Sequence, residues 1–130
     1  MNIVLWVLQI LLAIAFFLHG WLLLSPPLEL VDALNSLMSP AFRIFLGVAE
    51  VLAAVGLIVP GVTRIQPGLV SCAAAALLPV MVGATVLHIS RGEISSAMIT
   101  ALLFVLLAFV AYVRWKVRPI LPRRASKVLV

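Results

Sequence analysis

Residues 41–59 read AFRIFLGVAEVLAAVGLIV, an apolar run interrupted by Arg43 near its start and Glu50 near its middle. The run is long enough to cross a bilayer as a helix. Ser39-Pro40 opens it, with serine as N-cap and proline at the first helical position, and Pro60-Gly61 is expected to stop it. A carboxylate at such depth costs about 2.5–3.5 kcal/mol on insertion scales, so it is expected to face other helices rather than lipid. Arg43, Gly47, Glu50 and Ala54 follow one another at helical spacing and form one face. Gly47 and Ala54 flank the acid with small side chains that let a neighbouring helix or a ligand come close.

Three further runs of the same kind surround this one. Span one covers residues 3–24, roughly 33 Å of helix against a hydrocarbon core of about 30 Å, and Ser25-Pro26-Pro27 ends it. Its length and the lack of a basic leader read as a retained span rather than a cleaved signal. Span three covers 69–89, with Pro79 inside it freeing the Ala75 carbonyl and kinking the helix. Span four covers 97–113. Between spans one and two, Leu30, Val31, Leu34, Leu37 and Met38 recur at helical spacing among Glu29, Asp32, Asn35 and Ser36. That pattern predicts a short amphipathic helix at the membrane interface. No run alternates with the period of a barrel strand. The expected fold is therefore an all-α membrane protein, an antiparallel four-transmembrane-helix bundle over residues 1–115, followed by a basic cytoplasmic tail at 116–130.

Hydrophobic residues are 65% of the 130 and charged residues 10%, which leaves no room for a soluble domain beside the spans. Six of the nine cations follow the last apolar run. Beside a span, such a tail is a cytoplasmic anchor for anionic lipid headgroups rather than a nucleic-acid surface. With four crossings, both termini share a side with the turn that carries Arg64, and the excess of Lys and Arg there places both termini in the cytoplasm of a multi-pass cell-membrane protein. Cys72, the single cysteine, excludes an internal disulfide and a thiolate metal cage. No metal site is assigned, because two histidines and an acid lack any supporting local motif.

The ionisable residues of this core come from distant parts of the chain. His19, Arg43, Glu50, His88, Arg91 and Glu93 are all expected near the outer leaflet, and this is the candidate polar site. Gly83 and Ala84 offer a small-residue surface near His88, and Gln9, in the other half of span one, is expected to bond a neighbouring helix.

The segments Arg43-Ile44-Phe45-Leu46-Gly47-Val48-Ala49-Glu50, Gly56-Leu57-Ile58-Val59-Pro60, Gly83-Ala84-Thr85-Val86-Leu87-His88 and Arg91-Gly92-Glu93 resemble, in order and spacing, the DoxX-like family of small four-helix membrane proteins. Many members carry a lysine shortly after the glycine equivalent to Gly20, where this chain has Trp21-Leu22-Leu23-Leu24, so no role of that lysine is carried over. The resemblance implies the four-helix fold. It also implies kinship with a membrane subunit of a thiosulfate:quinone oxidoreductase, with partners in redox-stress complexes or cofactor maturation, and with a receptor-assembly chaperone.

Four functions compete. In the first, the chain is an accessory subunit of a quinone-linked redox system, with His19, Glu50 and His88 as donors and a redox partner protein supplying electrons, since no flavin, haem or iron–sulfur motif is present. In the second it is a membrane scaffold or assembly factor without chemistry. The third, a small proton-coupled transporter, is opposed by the Arg43 beside Glu50 and the lack of an acid in span one. The fourth, a haem held by His19 and His88, has the least support. Homo-oligomerisation, substrate and catalytic activity stay open.

Overall fold

The computed structural model describes residues 1–123 and is helical throughout, with no strand among the described residues. Helix α1 spans Asn2–Leu24, α2 Leu28–Leu37, α3 Pro40–Thr63, α4 Leu69–Ala76, α5 Leu78–Ser90 and α6 Ile94–Tyr112, which continues as a π-helical turn over Val113–Val117. Four stretches are long and apolar enough to cross a membrane: Asn2–Leu24, Pro40–Thr63, Leu69–Ser90 and Ile94–Val117. Of the basic tail expected at 116–130, the part from Arg124 onward lies outside the described residues.

Local chemistry explains most boundaries and corrects three. Ser39 caps α3 by accepting from the Phe42 N–H at 3.3 Å, with Pro40 in the first turn. Span two does not stop at Val59: α3 runs through Pro60 to Thr63 and ends on Arg64 in the left-handed conformation, φ 57°. Proline is tolerated inside membrane helices. Here it takes the donor from the Gly56 carbonyl, and one turn further on the Thr63 hydroxyl donates to the Val59 carbonyl at 2.8 Å. Span three is not one helix but two pieces that part at Leu77, which lets Pro79 sit in the first turn of α5, where its missing N–H costs no bond. Span four begins at Ile94 rather than residue 97, and its helical turns continue to Val117. Glu93 is its N-cap residue, and the Glu93 carbonyl accepts the Ala97 N–H at 3.0 Å.

The closest helix pair is α1 with α3. Trp6 meets Gly61, Gln9 meets Leu57, and Gly20 meets Gly47, so the contacts climb one helix as they descend the other. A Cβ on Gly20 would lie 2.9 Å from the Gly47 carbonyl oxygen, and one on Gly47 would lie 2.9 Å from the Gly20 carbonyl oxygen. Only glycine permits that backbone approach, which maximises the van der Waals contact that holds helices together in lipid. α4 packs on α3 and α6, and α5 packs on α6 and α4. The core between them is built from Leu12, Phe16, Ala53, Leu57, Ala74, Leu107 and Val110. The outward faces stay apolar, as at Ile3, Val7, Leu11, Ile14, Leu52 and Leu102, a surface suited to hydrocarbon and not to water. No residue of α2 is buried.

The two ends of the described chain meet. The Arg64 Nε–H donates to the Leu121 carbonyl at 2.8 Å, the Arg123 N–H donates to the Arg64 carbonyl at 2.9 Å, and Arg114 reaches Asn2 at 2.8 Å. The N-terminus, the turn after α3 and the segment after α6 thus lie at one end of the molecule.

Candidate functional site

The close approach at Gly20 and Gly47 brings the last turn of α1 against the first turns of α3. His19 and Glu50 flank that crossing, and His19 Nδ1 shares a hydrogen bond of 2.6 Å with Glu50 Oε2. The Glu50 side chain is 1% exposed and the His19 side chain 56%, so the imidazole bridges a buried carboxylate to the surface. Glu50 Oε1 is buried and has no hydrogen-bond partner among the described residues. A buried acceptor left in that state costs about 1–3 kcal/mol, which a donor from outside the chain would recover.

Arg43 bonds back to the end of α1. Its Nη1 donates to the Leu23 carbonyl, one of the carbonyls that the end of α1 leaves without an intrahelical partner. α1 has no basic residue in its last turn, and Arg43 of α3 supplies the cation that a helix C-terminus favours.

His88, Arg91 and Glu93 form a second group at the α5–α6 turn. His88 Nδ1 lies 2.6 Å from Glu93 Oε2, and the Arg91 Nε–H donates to Glu93 Oε1 at 2.9 Å. Gly92 turns the chain at φ +73°, which aims Arg91 and Glu93 at each other. The hydrogen bond from His88, and then that from Arg91, hold the Glu93 carboxyl below the usual carboxylate range. The six residues expected as one site therefore fall into a pair, His19 with Glu50, a trio at the α5–α6 turn, and Arg43, which bonds the Leu23 carbonyl instead of either acid. No hydrogen bond or ion pair connects these groups among the described residues, because α5 packs on α6 and α4 rather than on the α1–α3 pair. Of the small residues expected to pack helices, Gly47 lies at the α1–α3 crossing, Ala54 is buried in the core and Ala84 borders it, whereas a Cβ on Gly83 would meet open space.

Ala54, one turn after Glu50 on α3, lines an apolar groove of about 310 Å³ between α1 and α3, together with Ala13, Phe17, Leu18 and Ile58 among others; Glu50 itself does not line it. The groove's size is at the lower end of small-ligand sites. Among the described residues, no three His, Cys, Asp or Glu side chains come together as a metal-ligand set.

A second polar cluster escaped the sequence reading. Arg114, assigned there to the basic end of the chain, is 4% exposed. It donates to Gln9 Oε1 at 2.6 Å and Asn2 Oδ1 at 2.8 Å, and its Cζ sits 5.3 Å from the Trp6 ring centroid. The Gln9 Nε2–H donates to the Leu57 carbonyl at 2.8 Å. The signal was present in the sequence: with an even number of crossings, Asn2, Trp6 and Gln9 lie at the same end as Arg114, and Gln9 needed a polar partner.

Four apolar helical stretches long enough to cross a membrane, two of them joined by a hydrogen-bonded histidine and glutamate, define a small multi-pass membrane protein. The family comparison makes that class specific: the model described as the DoxX-like family matches residues 7–111, and the chain belongs to that family. No curated protein and no solved structure matches it.

Proposed function

We propose that this chain is an accessory subunit of a quinone-linked redox system in the cell membrane. The observation that carries the reading is the Glu50 carboxylate, buried with one oxygen on His19 and the other unpartnered, one turn before the Ala54 that lines an apolar groove. The quinone couple, when bound, would present a quinol hydroxyl able to donate to Glu50 Oε1 and, in its oxidised form, carbonyl oxygens that take up electrons and protons. The chain's own residues supply the rest. Ala54, Phe17 and Leu18 offer the apolar walls, and the small side chain of Ala54 leaves space beside the acid. Glu50 holds a proton in common with His19, and the exposed face of the imidazole exchanges it with water at the membrane surface. Electrons come from a partner protein, since the sequence has no motif for an electron-carrying group.

The same reading arranges the four spans as an antiparallel bundle, with α2 on the outer interface and both termini in the cytoplasm. Its support is the gathering of Arg64, Arg114, Lys116 and Arg118 at the end shared by Asn2, the turn after α3 and the segment after α6. The test is quinone content in lipid extracts of the purified protein, paired with respiration in cells carrying Glu50→Gln. Bound quinone and lowered respiration are expected. Extracts without quinone and unchanged respiration overturn the proposal.

A non-catalytic assembly factor is the second reading, favoured by α5. Gly83 there meets open space, with Val82 and Val86 exposed beside it, so this face is uncovered within the chain. On that reading Gly83→Leu abolishes pull-down of a partner, while His19→Ala and His88→Ala leave it intact.

A further inference from the structure

The Arg114 guanidinium is buried among neutral partners: Gln9, Asn2 and the Arg118 carbonyl at 3.3 Å. Its Nη2 is buried without a partner among the described residues. The chain contains four acidic residues in all. Glu50 is held by His19, Glu93 by His88 and Arg91, and Glu29 and Asp32 lie on α2, beyond the other end of α1. Residues 124–130 add no Asp or Glu. No carboxylate side chain therefore balances the buried cation, and an uncompensated buried charge is strongly unfavourable.

Beside it is a cavity of about 420 Å³ whose lining includes Asn2, Trp6, Arg64, Arg114, Arg118 and Ile120. Three guanidinium groups border this space, and no acidic side chain does. Arg64 is held in place through its Nε–H on the Leu121 carbonyl. Trp6 and Ile120 pack over Gly61 and give the cavity an apolar wall beside its cationic one. Planar guanidinium groups match the oxygens of phosphate better than any other cationic side chain.

We infer that this cavity is a binding site for a phosphate-class anion, held between Arg64 and Arg118 and drawn there by the neighbouring charge of the buried Arg114. The anion is either the headgroup phosphate of an anionic phospholipid, whose glycerol would lie on Trp6 and Ile120, or free phosphate from the adjoining water. The site is at the other end of α1 from His19 and stands independently of the quinone reading.

The experiment uses the full chain purified in detergent. Native mass spectrometry compares retention of phosphatidylglycerol with that of phosphatidylcholine, and thermal unfolding compares inorganic phosphate with chloride at equal ionic strength. Arg114 is buried, so the variants are the rim residues Arg64→Gln and Arg118→Gln, with the exposed Lys116→Gln as the control outside the cavity. The wild type is expected to prefer phosphatidylglycerol, and each rim variant to lose about fivefold in that preference, while Lys116→Gln retains it. That outcome assigns the headgroup. Stabilisation by inorganic phosphate that the rim variants lose, without a lipid preference, assigns the free anion. No response to either probe, or an equal loss in Lys116→Gln, overturns the inference.

Discussion

Nδ1 of His19 and Oε2 of Glu50 stand 2.6 Å apart, yet the imidazole is 56% exposed and the carboxylate 1%. The buried group depends on the exposed one for its only hydrogen bond among the described residues. Removing the histidine strands an acceptor in the interior, whereas removing both partners leaves nothing unsatisfied. His19→Ala is therefore expected to destabilise the protein by about 1–3 kcal/mol, and His19→Ala with Glu50→Leu by clearly less than the sum of the single changes. Unfolding of the four proteins of this cycle in one detergent measures the coupling. A neutral His19→Ala would show that the pair does not hold α1 to α3.

The glycines make a prediction whose sign changes with position. At Gly20 and Gly47 an added Cβ would lie 2.9 Å from a backbone oxygen of the opposite helix, and backbone cannot turn aside. Gly20→Ala and Gly47→Ala are each expected to cost about 1–3 kcal/mol through overpacking. Gly83 lies mid-helix in α5 with open space around it, so Gly83→Ala gains helix propensity, up to about 1 kcal/mol, and meets no clash. Thermal unfolding of the three variants under identical conditions reads the difference. Equal losses at all three positions would contradict the crossing at Gly20 and Gly47.

The four spans were legible because apolar length is a local property, and Ser39-Pro40 and Ser25-Pro26-Pro27 mark boundaries by their own backbone chemistry. Pro60 was misread as a stop because its tolerance depends on neighbouring turns rather than on the proline itself. The depth of Glu50 identified it as a buried acid, but depth along a helix says nothing about rotation around it. His88 thus fell to the α5–α6 turn and its own Glu93 rather than to Glu50. From the sequence Arg114 reads as part of a basic anchor for lipid headgroups, because cations after a last span usually meet headgroups. Its burial follows from Asn2 and Gln9, more than a hundred residues away in sequence.

The α5–α6 turn is expected to loosen in acid. Hydrogen bonds from His88 and Arg91 stabilise the charged form of Glu93 and lower its pKa when folded. Between that lowered value and the ordinary glutamate value of about 4.3, the unfolded turn binds more protons. The contribution is thus complete above the ordinary value and is lost as pH falls through the folded one. Hydrogen exchange at Gly92 and Glu93, whose N–H groups donate to Ile89 and His88 at 3.0 and 2.9 Å, follows the change. Protection that falls with pH in the wild type and stays flat in Glu93→Gln is the expected result.

The bonds between Arg64 and the Leu121–Arg123 segment fix a topological expectation. Reporter fusions in the 64–68 turn and after residue 123 are expected to report the same compartment, the cytoplasm by the excess of cations there. A fusion at Gly92 reports the other side. A split between the first two positions would be incompatible with those bonds.

Gln9 joins two structural needs in one side chain. Its oxygen accepts from Arg114 Nε at 2.6 Å, and its amide donates to the Leu57 carbonyl at 2.8 Å. Gln9→Leu keeps the volume and removes both bonds, which leaves a buried guanidinium donor unpaired. A loss of at least about 1–3 kcal/mol is expected, at the upper end because the donor is charged. Gln9→Glu also gives up the bond to Leu57 but sets a carboxylate against Arg114, and a charge-assisted bond is roughly twice as strong as a neutral one. The expected order of stability therefore places Gln9→Glu well above Gln9→Leu. Thermal unfolding of both variants tests it, and an inverted order would mean that the hydrogen bond to Leu57, rather than the contact with Arg114, keeps a polar residue at this position.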